Sequence, residues 1–207
     1  MIPVLPINYF PPISYFVILV QNESVLIEQH EHFIKQSFRN RMEIFGVNGK
    51  LSLTIPLHRK SREKKMITDV SIANDTPWQA HHWKSIANAY RATPYFEYYE
   101  DKLLPLFLNE QNNLWDFNLQ ITHLLMGFLG LQTKIEFTND FDKNIDYDFR
   151  NSFSAKAPQL IDGERYIQTF EEKIGFLNDL SILDALFNMG PETLSYLKQQ
   201  KLNVQHK

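Results

Sequence analysis

In the stretch Met42-Glu43-Ile44-Phe45-Gly46-Val47-Asn48-Gly49-Lys50-Leu51-Ser52-Leu53-Thr54-Ile55, apolar residues alternate on both sides of an Asn-Gly pair. Asn and Gly both tolerate the positive φ angles of a two-residue hairpin turn, so this spacing predicts two antiparallel strands joined at Asn48-Gly49. A side-chain period of two places Leu51, Leu53 and Ile55 on one face.

Outward from the hairpin the pattern changes once. Downstream lies a basic loop, Arg59 to Lys65, then a strand candidate from Met66 to Ala73. After residue 75 the apolar period becomes about 3.6. Thr76-Pro77-Trp78-Gln79 offers an N-cap, a first-turn proline and a capping-box glutamine, which predicts a helix to about Ala92, ended by Pro94. Further helices are expected over Tyr95 to Asn109 and Leu114 to Leu129, with a strand at Lys134 to Phe137 and a long irregular connection from Asn139 to Gly163. Ser181-Ile182-Leu183-Asp184 resembles a second capping box, and Gly190-Pro191 stops that helix and starts the last one. Upstream, Ile2 to Asn8 is a short apolar strand candidate that turns at Tyr9-Phe10-Pro11-Pro12. Ile13, Phe16, Val17 and Val20 then recur at helical spacing, although the β-branched content there also suits a strand. Val25-Leu26-Ile27 is another strand candidate. The expectation is an α/β fold, a single domain over 1–207, with a β-rich N-terminal part containing a hairpin and a largely helical C-terminal half.

Composition sets the class. With 43% hydrophobic and 22% charged residues among 207, the chain buries a core without covalent help. No cysteine is present, which excludes disulfides, thiolate metal sites and a Cys nucleophile. The first residues lack a basic stretch ahead of an apolar one, and the longest apolar run, Tyr15 to Val20, is far short of a membrane span. A cytoplasmic protein with no membrane span is expected. From Lys35 to Lys65 nine cations face two carboxylates, a local +7 in a chain of net charge −3. That polarity suits a small anion such as a nucleotide or nucleotide sugar, or an acidic protein partner. The acidic remainder would repel a long polyanion, so nucleic acid is not expected.

Three groupings carry candidate chemistry. Lys35-Gln36-Ser37-Phe38-Arg39-Asn40-Arg41 concentrates guanidinium, ammonium and amide donors suited to phosphate or carboxylate; a charge-protected strand edge would look similar. Glu28, His30 and His32 share one face if the chain is extended there, as metal ligands or as a solvated polar stretch; no metal is expected. His81 and His82 diverge by about 100° on a helix, so one of them lines a cleft at most. Aromatics such as Trp83 and Tyr90, on one helix face, suit either stacking or the core. Gly-rich phosphate loops, the serine-hydrolase elbow and the zinc-protease helix are absent, and no cofactor is assigned.

These segments in their order resemble the WbqC-like family along nearly the whole chain: Tyr9-Phe10-Pro11-Pro12-Ile13-Ser14-Tyr15-Phe16, Lys35 to Arg41, Leu53-Thr54-Ile55-Pro56, Trp78 with His82, Tyr90 with Thr93-Pro94-Tyr95-Phe96, and Leu180 to Asp184 with Phe187-Asn188-Met189-Gly190. The chain departs from the family pattern at Ile7-Asn8, where Gln-Pro is usual, and at Val25 to Glu28, where an Asp-containing strand is common. The resemblance implies a link to O-antigen and related lipopolysaccharide synthesis and names no reaction. By analogy alone, the strand, Tyr-Phe-Pro-Pro turn and helix occupy the place of the histidine-bearing turn of nucleotidylyltransferase-like folds. Ser14 to Phe16 stand where those histidines would begin, which disfavours adenylyl transfer and leaves nucleotide binding open.

The leading expectation is an accessory enzyme of glycan-precursor synthesis, a transferase on an amino-sugar nucleotide. Lys35, Arg39 and Arg41 would hold anionic groups, Gln36 and Asn40 would orient substrate, and His82 would be the general acid/base. Tyr9, Asn40, Arg41 and His82 are expected to converge beyond the end of the first strand. The alternative is a non-catalytic binding or assembly protein whose basic lobe docks an acidic partner.

Overall fold

The computed structural model describes residues 1–58 and 65–203. In chain order the strands are β1 (Val4–Leu5), β2 (Ser24–Ile27), β3 (Arg41–Gly46), β4 (Gly49–Thr54) and β5 (Lys134–Phe137). The helices are α1 (Ile13–Val20), α2 (Trp78–Tyr90), α3 (Phe96–Leu103), α4 (Pro105–Leu108), α5 (Leu114–Leu129), α6 (Glu171–Ile174), α7 (Ile182–Met189) and α8 (Thr193–Gln199). β1, β2 and β5 form a parallel sheet with β2 in the middle, and β3 and β4 form a separate antiparallel hairpin. The architecture is mixed α/β, with helices concentrated in the C-terminal half.

β1, α1 and β2 make one βαβ crossover. Pro12, extended at φ −68° and ψ 165°, leads the chain into α1, where its lack of an N–H costs nothing. Every residue from Ile13 to Leu19 is buried, and α7 and α8 pack against the helix. A helix that is apolar all round belongs inside, which explains why its β-branched residues do not make it a strand.

The hairpin forms with its turn one residue earlier than expected. Gly46 pairs with Gly49, so Val47 and Asn48 are the turn residues, and Gly49 carries the positive φ of 114° as β4 begins. Leu53 and Ile55 are buried as their period requires. Leu51 stays 39% exposed because the tip projects past the core.

Three other expectations change. Met66 to Ala73 is a 3₁₀ turn at Ile67–Asp69 flanked by isolated bridges, because its N–H groups go to separate acceptors, the carbonyls of Glu31, Asn112 and Pro56. α2 starts at Trp78 with Pro77 as its N-cap and no capping side chain; Trp78 is held instead by its indole N–H to Asn74 Oδ1 at 3.0 Å. The helix expected over Tyr95 to Asn109 splits into α3 and α4 at Pro105, which cannot donate to the preceding turn. α5 and β5 occupy the expected residues. The loop expected from Arg59 to Lys65 lies outside the described residues except for Lys65.

At the end of α7, Gly190 takes φ 55° with the Tyr95 ring packed against its Cα. An alanine there would need both an unfavourable backbone and a displaced ring. Gly190→Ala is expected to cost about 2 kcal/mol or more, read as a lower urea midpoint at unchanged slope.

Candidate functional site

In a parallel sheet the carboxyl ends of the strands share one edge, and this edge carries an unusual load of buried charge. Glu28 follows β2 with no exposed surface. Its Oε1 accepts from the His30 N–H at 2.8 Å and from Thr138 Oγ1, just past β5, at 2.7 Å. Its Oε2 pairs with Arg150 Nη1 at 2.8 Å. Arg150 also grips Asp148, the main cause of its raised pKa, and Asp148 forms a parallel bridge to Val4 of β1. A second buried pair adjoins the first: Arg39 Nε and Nη2 reach the two oxygens of Glu31 at 2.7 and 2.6 Å, and Nη2 also donates to the Arg150 carbonyl at 2.9 Å. Burial pushes the Glu31 carboxyl up, and the Arg39 guanidinium opposes that push. Buried ions persist only when paired in this way.

This geometry reassigns several sequence candidates. Glu28 is spent on Arg150 and Thr138, the strand has ended by His30, and His32 bridges Met66 through backbone. Among the described residues no group of three or more His, Asp and Glu is placed to hold a metal ion. Arg39 is 1% exposed and neutralised by Glu31, so its guanidinium does not face solvent. Lys35 and Gln36 are exposed, the latter at φ 59°.

Tyr9 and His82 come together from sequence-distant segments. The Tyr9 hydroxyl lies 2.9 Å from His82 Nδ1, with the Trp78 ring edge-on to the imidazole and Phe117 against Tyr9. Burial lowers the His82 pKa to about 4, against a smaller upward push from a hydrogen bond to the Thr54 backbone. Burial also raises the Tyr9 phenol far above its ordinary value. At neutral pH both groups are therefore uncharged, and the imidazole is a free base. Asn40 and Arg41 approach the same end of β4: Asn40 Nδ2 donates to the Ile55 carbonyl at 2.9 Å and Arg41 Nε to Thr54 Oγ1 at 3.2 Å. Asn40, Arg41 and His82 thus each bond to Thr54 or Ile55, and Tyr9 is joined to them through His82, with Tyr9 and His82 buried.

Arg41 borders a small crevice, too tight to admit a water molecule, that also takes in Phe10, Glu43, Asp179 and Ser181. Two of its walls, Phe10 (φ 40°) and Asp179 (φ 54°), are non-glycine residues in the left-handed region, a concentration typical of functional sites. Asp179 accepts from the Ser14 N–H and Oγ, both at 2.8 Å, and so caps α1. Burial pushes its pKa up to about 6, with Ser14 opposing. Nothing in Leu177-Asn178-Asp179 marked that role, since the partner is 165 positions away. A wider groove of about 760 Å³ lies elsewhere, lined by Pro94, Arg165, Gln168, Glu171 and Asn188 among others, and holds none of the sequence candidates. Behind it Asp184 is buried against Tyr166 and Gln168.

Arg39→Met alone is expected to strand the Glu31 carboxylate and cost about 3–5 kcal/mol by urea denaturation, and adding Glu31→Leu to restore most of it. The pH dependence divides by sign. His82, depressed on folding, contributes stability that is present above pH 6.5 and lost as pH falls towards 4, on the order of 3 kcal/mol. Asp179, raised from 3.8 to about 6, contributes stability that is present below its unfolded value and lost as pH rises through 6. The two slopes oppose one another between pH 4 and 6. Asp179→Asn is expected to leave the His82 slope uncompensated, so its urea midpoint should fall more steeply on acidification than that of the wild type.

Two comparisons bear on this arrangement. The family model described as the WbqC-like protein family matches residues 7–169, which takes in Tyr9, Lys35 to Arg41, His82 and the Asp148–Arg150 segment. Over 219 aligned residues the chain is 26% identical to an uncharacterised protein of Mycobacterium tuberculosis, covering 92% of this chain and 94% of that one. No solved structure matches it.

Proposed function

The chain belongs to the WbqC-like protein family, and from that premise we propose that it is a cytoplasmic accessory enzyme of bacterial surface-polysaccharide synthesis, a transferase acting on an amino-sugar nucleotide. The observation that carries this reading is the neutral His82, held by Tyr9 from the turn that follows β1 and bonded to the backbone of Thr54, whose hydroxyl takes the Arg41 guanidinium. An imidazole that burial keeps unprotonated at neutral pH is in the form a general base needs, a weak base at a pKa near 4, and a guanidinium at the surface matches the diphosphate of a nucleotide sugar. Lys35 adds a second exposed cation, and Gln36 and Asn40 supply amides to orient the sugar. Arg39 acts at one remove, fixing the backbone that carries Asn40 and Arg41 through its pairing with Glu31.

Specific observations favour a second reading, a non-catalytic protein that docks an acidic partner. His82 is 5% exposed and already bonded to Tyr9, and Lys50 is bound to Glu43, which leaves Lys35, Arg41 and Lys65 as the outward charges described in the basic lobe.

A thermal-shift screen against nucleotide sugars separates the two. A true ligand at 100 times its Kd stabilises the protein by about 2.7 kcal/mol. Arg41→Lys keeps the charge and loses the fork, so affinity for that ligand should fall roughly tenfold. His82→Ala should abolish turnover while leaving affinity near wild type. A screen in which no nucleotide sugar moves the melting temperature, with an acidic protein captured through Lys35 and Arg41, would replace the enzyme with the docking protein.

A further inference from the structure

The parallel sheet is covered along one edge and open along the other. Beyond β1, residues 147–149 run alongside, tied by the Val4 N–H to the Tyr147 carbonyl at 3.0 Å and by the Phe149 N–H to the Val4 carbonyl at 2.9 Å. Beyond β5 no described residue bridges to the sheet. In a strand each residue turns its N–H and C=O to the same side, and successive residues alternate. Lys134 and Thr138 donate to the Glu23 and Ile27 carbonyls on the β2 side, at 2.8 and 3.1 Å, so Ile135 and Phe137 turn their backbone groups outward. The side chains divide by face. Phe137 is 39% exposed, with its ring 5.8 Å from that of Trp115 at the start of α5, and Ile135 lies half-buried on the same face. Lys134 and Glu136 take the other face, paired at 2.8 Å and exposed at 71% and 42%.

An open edge is a template for another strand, and proteins that remain monomeric block it with a bulge, a proline or an unmatched charge. β5 has no proline and pairs with β2 residue for residue, without a bulge. Its two charges are of opposite sign and symmetric about Ile135, so the edge is complementary to itself. We propose that β5 pairs antiparallel with β5 of a second copy of this chain, about a two-fold axis through Ile135, which joins the two sheets into one. In that register Ile135 exchanges hydrogen bonds with the partner subunit's Ile135, and Phe137 with the partner subunit's Thr133, through the outward backbone groups. Lys134 falls opposite the partner subunit's Glu136, at a non-hydrogen-bonded position where facing side chains come closest. An axis through Lys134 or Glu136 would set like charges face to face and would turn backbone groups already bonded to β2 toward the partner. Exposed ion pairs of this kind contribute little affinity and mainly select the register and the partner. The exposed part of the Phe137 ring gains cover on the face it shares with Trp115.

The test is sedimentation velocity of the full chain combined with a charge swap. An interface this small holds weakly, so the wild type is expected to be dimeric at about 100 µM and to dissociate on dilution. Lys134→Glu and Glu136→Lys each set like charges opposite one another across the axis, and each should raise the dimer Kd at least about tenfold. Mixed in equal amounts, the two variants present opposite charges again and should return a dimer holding one chain of each, read by native mass spectrometry. The double variant Lys134→Glu/Glu136→Lys keeps the pair within its own strand, so its fold is not at stake. It should dimerise with itself as the wild type does, yet form no mixed dimer with the wild type, where Lys would face Lys and Glu would face Glu. Three results would overturn the inference. They are a wild type that stays monomeric at the stated concentration, a dimer whose Kd ignores both single reversals, and free exchange of chains between the wild type and the double variant. The last two would place the interface on another face of the molecule.

Discussion

A carboxylate with no exposed surface at the end of the middle strand has to be neutralised, and Arg150 meets Glu28 at 2.8 Å to do so. That pairing organises much of the molecule. It draws the connection after β5 back over the strand ends, where Asp148 bridges β1 and Phe149 bonds Val4. The Arg150 carbonyl then receives Arg39, which is bound to Glu31, and the Arg39 carbonyl receives Asn118 from α5. A single run of charge-assisted and amide hydrogen bonds therefore joins sheet, connection, basic segment and the longest helix. Ion pairs this deep add little net stability over apolar residues, but they admit one register of the parts they join.

The hairpin is seated by a different set of contacts. The Phe45 N–H donates to the Tyr90 hydroxyl at 2.9 Å, which ties β3 to α2, and the Ser181 N–H donates to the Glu43 carbonyl at 2.8 Å, which ties it to the start of α7. With β4 fixed in this way, Thr54 and Ile55 receive Asn40 and Arg41 from the start of β3 and His82 from α2. The site is therefore a junction between two independently anchored sheets.

The fold was legible in the sequence wherever local chemistry is decisive. Asn48-Gly49 marks a hairpin, Asn113 and Gly130 bracket α5 as cap and left-handed stop, and the alternation around Ile135 marks β5. Legibility failed where partners are remote. Met66 to Ala73 has the composition of a strand, yet its backbone serves three different acceptors, which no local pattern records. In the candidate site, Tyr9 and His82 were suggested by residue type and do meet. Arg39 looked like a free ligand for an anion because a sequence displays its charge and not Glu31 enclosing it. Asp179 was passed over for the same reason in reverse: its significance lies in what surrounds it, the end of a distant helix.

The central strand pairs on one side with residues 22 positions away and on the other with residues about 110 positions away. Loops of that length close slowly. Beside the strand, α1 is sealed by α7 and α8, both far downstream of it in the chain. A nascent chain must therefore carry Ile13 to Leu19, seven consecutive buried residues, uncovered until α7 and α8 have been synthesised. Until those helices arrive, the segment that follows the N-terminal turn is an exposed apolar stretch of the kind that chaperones shield, and the turn itself waits on residues far along the chain.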